Sequence, residues 1–344
     1  MNDSTHILVT GGAGYIGSHT VVQLIENGYT PIIVDDLRNA RTDAIKGIEE
    51  ITGKKIIHLS VDVCDFKALE KVFSDYSLEG IIHFAAYKAV GESVDQPLKY
   101  YRNNIIGLVN VLELAQQFKI KNIVFSSSCT VYGEPKNEKV VTEDSPIQIA
   151  NSPYGNTKQI GEEIIQDFIK SGADCSVLNL RYFNPVGAHP SSIIGEFPLG
   201  KPNNVMPVIT QTAIGRLEKV TVFGNDYETI DGTCVRDYIH VMDVAEAHVK
   251  GIDWLKSKNE SFVENLNIGT GKGTSVLELI NTFEEISSQK LNWGFGDRRK
   301  GDVVEIFADV TKMFNLMGWK PNRTVKDALT DAWNWELKLK NDKK

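Results

Sequence analysis

The sequence predicts an α/β fold, a doubly wound parallel sheet with a smaller C-terminal substrate-binding lobe. Three observations predict it. A short apolar run, Ile7-Leu8-Val9-Thr10, feeds the glycine loop Gly11-Gly12-Ala13-Gly14-Tyr15-Ile16-Gly17 and then a helical pattern over residues 15–27. Apolar runs of strand length alternate with helical patterns as far as Phe183, the rhythm of parallel strands joined by crossover helices. After Asn184 the rhythm breaks at Pro185, Pro190, Pro198, Pro202 and Pro207, the punctuation of a differently built region.

The glycines come first. Spaced as Gly11, Gly14 and Gly17, they let the backbone approach a pyrophosphate, and the next helix turns unpaired N–H groups toward that charge. This is a Rossmann-type dinucleotide loop. A second strand, Pro31-Ile32-Ile33-Val34, ends in Asp35. A carboxylate there accepts hydrogen bonds from a ribose and repels a 2′-phosphate, which favours NAD over NADP; Arg38 close by weakens that preference slightly. A helix over 39–51 follows, then a third strand over 56–63 ending near Asp62, and a helix capped by Asp65 that runs to Phe73. A fourth strand covers 81–86, and a loop runs from Tyr87 to Pro97. A long helix over 98–118, a fifth strand over 122–128, a helix over 154–170 and a strand over 176–183 complete the series. In such sheets ligands lie at the carboxyl ends of the strands, here Asp35, Asp62, Ala85, Ser128 and Asn184. Residues 1–184 are therefore read as the dinucleotide domain. Residues 185–344 are mainly a substrate lobe, with helices over 205–217, 243–255 and 275–287, while 235–241 and 264–269 are expected to return to the main sheet.

Composition narrows the class. The chain has 344 residues, 42% of them hydrophobic, and a mean hydropathy of −0.20, as in soluble globular proteins. No apolar run approaches the roughly 20 residues that cross a bilayer. A net charge of −8 disfavours nonspecific nucleic-acid binding. Residues 1–6 are polar and leave no room for a signal peptide, so a cytoplasmic location is expected. Lys338, Lys340, Lys343 and Lys344 read as a solvated, frayed end. Cys64, Cys129, Cys175 and Cys234 are scattered, without Cys-x-x-Cys or a histidine at metal spacing, so free thiols and no metal are expected. His240, near Tyr238, reads as structural.

The pentapeptide Tyr154-Gly155-Asn156-Thr157-Lys158 carries the chemistry. Four residues apart on a helix, the phenol and the ammonium share a face. An ammonium about 4 Å away, at an effective dielectric of about 20, is worth roughly 4 kcal/mol and could lower a phenol by up to about three pH units. That would give a base suited to neutral pH. Ser128, at the end of Ile123-Val124-Phe125-Ser126-Ser127-Ser128, can bridge a substrate oxygen and that phenol, with Thr130 a second hydroxyl nearby. Ser126 and Ser127 read as ordinary strand-end hydrogen bonding.

Together the glycine loop, Ser128 and Tyr154-x-x-x-Lys158 resemble the extended short-chain dehydrogenase/reductase family. Four longer stretches, Ala89-Val90-Gly91-Glu92-Ser93, Arg181-Tyr182-Phe183-Asn184-Pro185-Val186-Gly187-Ala188, Phe223-Gly224-Asn225-Asp226-Tyr227 and Val235-Arg236-Asp237-Tyr238-Ile239-His240-Val241, resemble its nucleotide-sugar 4-epimerases as far as about residue 335. The resemblance implies NAD-dependent interconversion of UDP-glucose and UDP-galactose through a 4-keto sugar. It implies a cofactor site made of Gly11, Gly14, Tyr15, Ile16, Gly17, Asp35, Asp36, Leu37, Arg38, Asn39, Ala40, Asp62, Val63, Phe84, Ala85, Ala86, Tyr87, Lys88, Asn103, Ser128, Tyr154, Lys158 and Phe183. Lys88, Ser128, Thr130, Tyr154, Asn184, Asn204, Thr221, Val222, Phe223, Arg236, Arg299 and Asp302 would hold the UDP-hexose. Arginine suits this task because its planar fork pairs two oxygens of a diphosphate. A homodimer packed through the helices over 98–118 and 154–170 is also implied.

Two rivals stand beside this reading. A nucleotide-sugar 4,6-dehydratase carries an Asp-Glu pair after the fifth-strand hydroxyl, where this chain has Cys129 and Thr130, neither able to serve as a carboxylate acid or base. A non-catalytic NAD sensor on the same fold would have no need of Tyr154 and Lys158. Ile306 stands where relatives that reject N-acetylated sugars carry a tyrosine, so some activity on UDP-N-acetylglucosamine is expected.

Overall fold

The structure, a computed structural model, describes residues 6–135, 139–200, 202–299 and 303–341. The first half runs β1 (His6–Thr10), α1 (Tyr15–Glu26), β2 (Thr30–Val34), α2 (Thr42–Thr52), β3 (Ile57–Leu59), α3 (Phe66–Asp75), β4 (Leu78–His83), α4 (Val90–Asp95), α5 (Pro97–Gln117), β5 (Asn122–Ser126), β6 (Val140–Val141), α6 (Pro153–Lys170) and β7 (Ser176–Tyr182). Seven parallel strands make the main sheet, in the order Val263–Ile268, β7, β5, β4, β1, β2, β3.

The period of two along each strand divides its side chains between the two faces of the sheet. Ile7, Val9, Ile33, Ile82, Val124 and Leu178 enter a core with α1 and the helix Val241–Lys256 on one face. Leu8, Ile32, Val34, Ile81, Ile123 and Val177 enter a second core with α3, α5 and α6 on the other. A sheet covered on both faces needs strands apolar at every position. Each such side chain, fully buried, contributes about 1.5–3 kcal/mol. Asp65 caps α3 by accepting from the Ala68 N–H at 3.1 Å.

Several expected elements change. The third strand stops at Leu59, α4 forms inside the expected loop, and a 3-10 turn, Cys129–Tyr132, follows β5, which ends at Ser126. A helix, Val325–Asn341, was not expected; it carries Lys338 and Lys340, so neither lies in a frayed tail, while Lys343 and Lys344 lie outside the described residues. The strand over 263–268 joins the main sheet beside β7, but the segment 235–241 does not. Val235–Arg236 pairs with Glu305–Ala308 and Thr274–Ser275, and Tyr238–His240 pairs with Asn184–Val186. The cause is Asp237 between them. Its buried carboxylate accepts from the N–H groups of Thr270 (2.9 Å), Gly271 (3.0 Å) and Ala308 (3.2 Å), pinning the bend to two other loops.

The later residues build a third core. Met206, Ile209, Val222, Leu279, Phe283, Leu329 and Ala332 pack together from the helices Val205–Ala213, Val276–Ser287 and Val325–Asn341 and the strand Val220–Phe223. His240 serves structure, as its sequence setting suggested. Its Nδ1 accepts from the Met242 N–H at 3.1 Å, capping the helix Val241–Lys256, and its Nε2 meets Asp331 at 3.1 Å.

Candidate active site

One cleft of about 1800 Å³ runs along the carboxyl ends of the sheet strands and under the later segments. At one end lies the glycine loop. Gly11 has φ +73°, and a Cβ there would come within 2.8 Å of the Ala85 nitrogen; a Cβ on Gly17 would come within 2.3 Å of the Gly11 oxygen. No side chain caps the start of α1, which leaves first-turn N–H groups to face an anion. Asp35 accepts from the Leu37 N–H at 2.9 Å and the Ala13 N–H at 3.1 Å. Burial pushes its carboxyl up, and those two bonds oppose the shift. Arg38 is paired with both Asp36 and Asp62, so its charge is already compensated. This cradle fits a dinucleotide.

The middle of the cleft holds the reactive groups. Tyr154 and Lys158 occupy one face of α6, both buried. Ser128 stands beside the Tyr154 phenol and favours its ionised form, while its Oγ accepts from the Thr130 N–H at 3.2 Å. The Lys158 amine donates to the Ser126 carbonyl at 2.5 Å and lies 4.8 Å from the Phe125 ring centre. The expected lowering of the phenol does not appear. Burial pushes Tyr154 up, with Tyr182 next in effect, and only Ser128 opposes them. Burial also pushes Lys158 down to about 7. The physical reason is that the amine has turned to a carbonyl of β5, and that both groups have lost water together. Thr130 Oγ1 is buried with no hydrogen-bond partner among the described residues, which leaves it free for a ligand.

At the far end stand Asn184, Asn204, Arg236 and Arg299. Arg236 donates to the Val235 carbonyl at 2.9 Å, and Arg299 lies 4.3 Å from the Phe223 ring centre. Neither has a carboxylate partner in an ion pair among the described residues. The arrangement suits an anionic ligand at both ends and a proton transfer between them.

Gly11, Gly14, Tyr15, Ile16, Gly17, Asp35, Asp36, Arg38, Asn39, Ala40, Asp62, Val63, Phe84, Ala85, Ala86, Tyr87, Lys88, Asn103 and Phe183 all line this cleft. Some expected residues do not. Leu37, at φ +62°, packs against the α1 core. Thr221, Val222 and Phe223 lie on the strand Val220–Phe223, with Val222 buried in the third core and the Phe223 ring against Arg299 at the far end. Asp302 lies outside the described residues. Sequence reasoning missed Glu196, Trp335 and Lys338, which line the cleft. Glu196 accepts from the Asn204 amide at 2.6 Å and lies 3.5 Å from the Lys88 amine. The helix carrying Trp335 had a readable signal, since Leu329, Ala332 and Glu336 recur on its buried side.

With this geometry in hand, similarity to known proteins is informative. A family model described as GDP-mannose 4,6 dehydratase matches residues 8–332. A UDP-glucose 4-epimerase of Dictyostelium discoideum is 50% identical over 330 residues, 96% of this chain and 95% of the relative. One from Bacillus subtilis is 48% identical, covering 96% of each. A solved UDP-glucose 4-epimerase of Bifidobacterium longum, in complex with NAD+ and UDP, superposes with a TM-score of 0.94 at 42% identity, covering 98% of this chain and 99% of that one. The chain belongs to the UDP-glucose 4-epimerase family of extended short-chain dehydrogenases/reductases.

Proposed function

We propose that this protein interconverts UDP-glucose and UDP-galactose by oxidising and re-reducing C4 of the hexose with a resident NAD. The observation that carries the reading is one cleft that holds an anion cradle, the Tyr154–Ser128 pair and two arginines without carboxylate partners among the described residues. Residues 1–184 hold the cofactor, and 185–344 mainly hold the nucleotide-sugar. Gly11, Gly14 and Gly17 admit the pyrophosphate, and Asp35 takes the adenosine ribose. Bound NAD supplies the hydride acceptor for C4 and a positive charge beside the phenol. Tyr154 takes the 4-hydroxyl proton and later returns it. Ser128 holds that same oxygen in line with the phenol, and Lys158 steadies both Tyr154 and the nicotinamide ribose. Arg236, Arg299, Asn184 and Asn204 clamp the diphosphate, so the hexose alone is free to turn its other face. The clamp separates rotation of the sugar from loss of the intermediate.

The test is a coupled assay of purified, NAD-loaded protein with UDP-galactose. Formation of UDP-glucose supports the reading, and its absence overturns it. Release of a 4-keto-6-deoxy sugar would instead favour a dehydratase. A second substrate class is favoured by Ile306. It is buried, lines the cleft, and stands level with Arg236 on the neighbouring strand. A chain branching at Cβ and ending short of a tyrosine ring leaves space for a 2-acetamido group.

We also place the enzyme in the cytoplasm as a homodimer. Cys64, Cys129, Cys175 and Cys234 are all free, which suits a reducing compartment. No helix among the described residues is long and apolar enough to cross a membrane. Val90, Val94, Leu98 and Ile106 are exposed on α4 and α5, apolar surface for the partner's copy to cover. Sedimentation of the protein and of Leu98→Glu would separate dimer from monomer.

A further inference from the structure

Three consecutive serines, the last residue of β5 and the two after it, are answered by three residues of α6 spaced four apart. Tyr154 and Ser128 line the cleft together, and Ser128 favours the ionised phenol. Lys158 donates to the Ser126 carbonyl at 2.5 Å. Glu162, one turn further on, accepts from the Ser127 hydroxyl at 2.5 Å. The reactive tyrosine is thus the first rung of a ladder, and Glu162 is the last. The last rung is anchored. Arg181 of β7 donates to Glu162 through Nε at 3.0 Å and Nη2 at 2.7 Å, and through Nη1 to the Tyr132 hydroxyl and the Glu143 carbonyl, each at 3.1 Å. The pair is buried, with side chains 3% and 9% exposed.

We propose that Glu162 is a positioning residue for the epimerisation. By gripping Ser127 it sets the height of Ser128 against Tyr154, and by sharing a helix face with Lys158 it supplies the negative charge that favours the ammonium form. A buried carboxylate and a buried ammonium one turn apart are held in mutual register by the helix itself. Other groups face Lys158: His83 from β4, and Phe125 and the Ser126 carbonyl from β5. Among them Glu162 is the residue that raises Lys158, opposing burial. Ser127 then does more than satisfy a strand end.

This inference rests on the epimerase reading, so its test includes a measurement that needs no turnover. Ser127→Ala removes one rung and leaves the ion pair whole. Expected in the holoenzyme is an approximately tenfold loss of kcat, with unchanged KM for UDP-galactose and unchanged bound NAD, and recovery in Ser127→Thr. Glu162→Gln alone would leave Arg181 buried without its partner, so Glu162→Gln is combined with Arg181→Met. In that pair, lysine-selective NMR titration against Lys158→Met should show the Lys158 amine losing its proton at least half a pH unit lower than in the parent, because the carboxylate that opposes its burial is gone. The alkaline limb of the kcat profile should move to lower pH. Ser127→Ala with kcat within twofold of the parent, or an unmoved Lys158 amine in the double variant, overturns the proposal. A parent protein that titrates as described but turns over no UDP-hexose refutes the epimerase reading alone.

Discussion

The two ends of the cleft treat their positive charges in opposite ways. In the dinucleotide half the arginines that line the cleft are neutralised: Arg38 by Asp36 and Asp62, Arg41 by Asp43. At the far end Arg236 and Arg299 meet only carbonyls and an aromatic face among the described residues. An arginine held against a carboxylate is part of the scaffold. An arginine held against dipoles keeps its fork for a ligand, and desolvation strengthens the eventual pair. The cofactor end binds anions instead with N–H groups and a helix terminus, which carry no counter-ion to displace. This difference suits a resident cofactor at one end and an exchanging diphosphate at the other.

Four experiments break or sharpen that contrast. The largest effect belongs to the group between the two ends. Tyr154→Phe should lower kcat by about 10³-fold or more while leaving NAD bound, measured by the coupled assay and by NAD released on denaturation. Near-parental turnover would remove Tyr154 as the base.

Next is acid. His19, His83 and His248 are buried around the dinucleotide half, and burial pushes them down to about 3, 3 and 4. An unfolded histidine titrates near 6.5, so below that pH the unfolded chain binds more protons than the folded one. Their stability contribution is whole above about 6.5 and is lost as pH falls toward 3 or 4. Each should cost about 2 kcal/mol by pH 5. NAD release should therefore track the melting temperature down this range. A His248→Leu variant, whose parent Nε2 has no partner among the described residues, should flatten part of the slope.

Arg236→Gln should weaken UDP about 10- to 100-fold by calorimetry, the loss of a charge-assisted pair, with NAD content unchanged. If NAD content falls instead, the two ends are not independent. The smallest effect is at the sugar. Ile306→Tyr should abolish turnover of UDP-N-acetylglucosamine while changing that of UDP-glucose only severalfold. Equal losses on both sugars would show that Ile306 does not read the 2-substituent.

The same contrast explains what could be read in advance. The glycine loop, Asp35 at the end of β2 and the Tyr154–Lys158 spacing are local: strand and helix periods place these side chains within a turn or a crossover of one another. The helix starts at Tyr15, Pro97 and Pro153 were legible to within a few residues for the same reason. The far end was harder. Thr221, Val222 and Phe223 belong to a strand beside Trp293–Gly296, where the third core claims Val222 and the Phe223 ring lies against Arg299. Glu196 has no local signature; it matters because Lys88 reaches it from a distant segment and Asn204 from eight residues further on.

From its residues alone this protein declared a parallel α/β sheet, a dinucleotide loop and a phenol–ammonium pair on one helix face, since all three depend on spacings of a few residues that backbone geometry enforces. Folding decided the rest. Arg181 found Glu162 across two elements, Arg236 came level with Ile306 although 70 positions apart, and Asp237 drew the segment 235–241 out of the main sheet. Such partners are chosen by which surfaces can be buried together and which buried polar groups can be satisfied, and neither condition is written in any one stretch of chain.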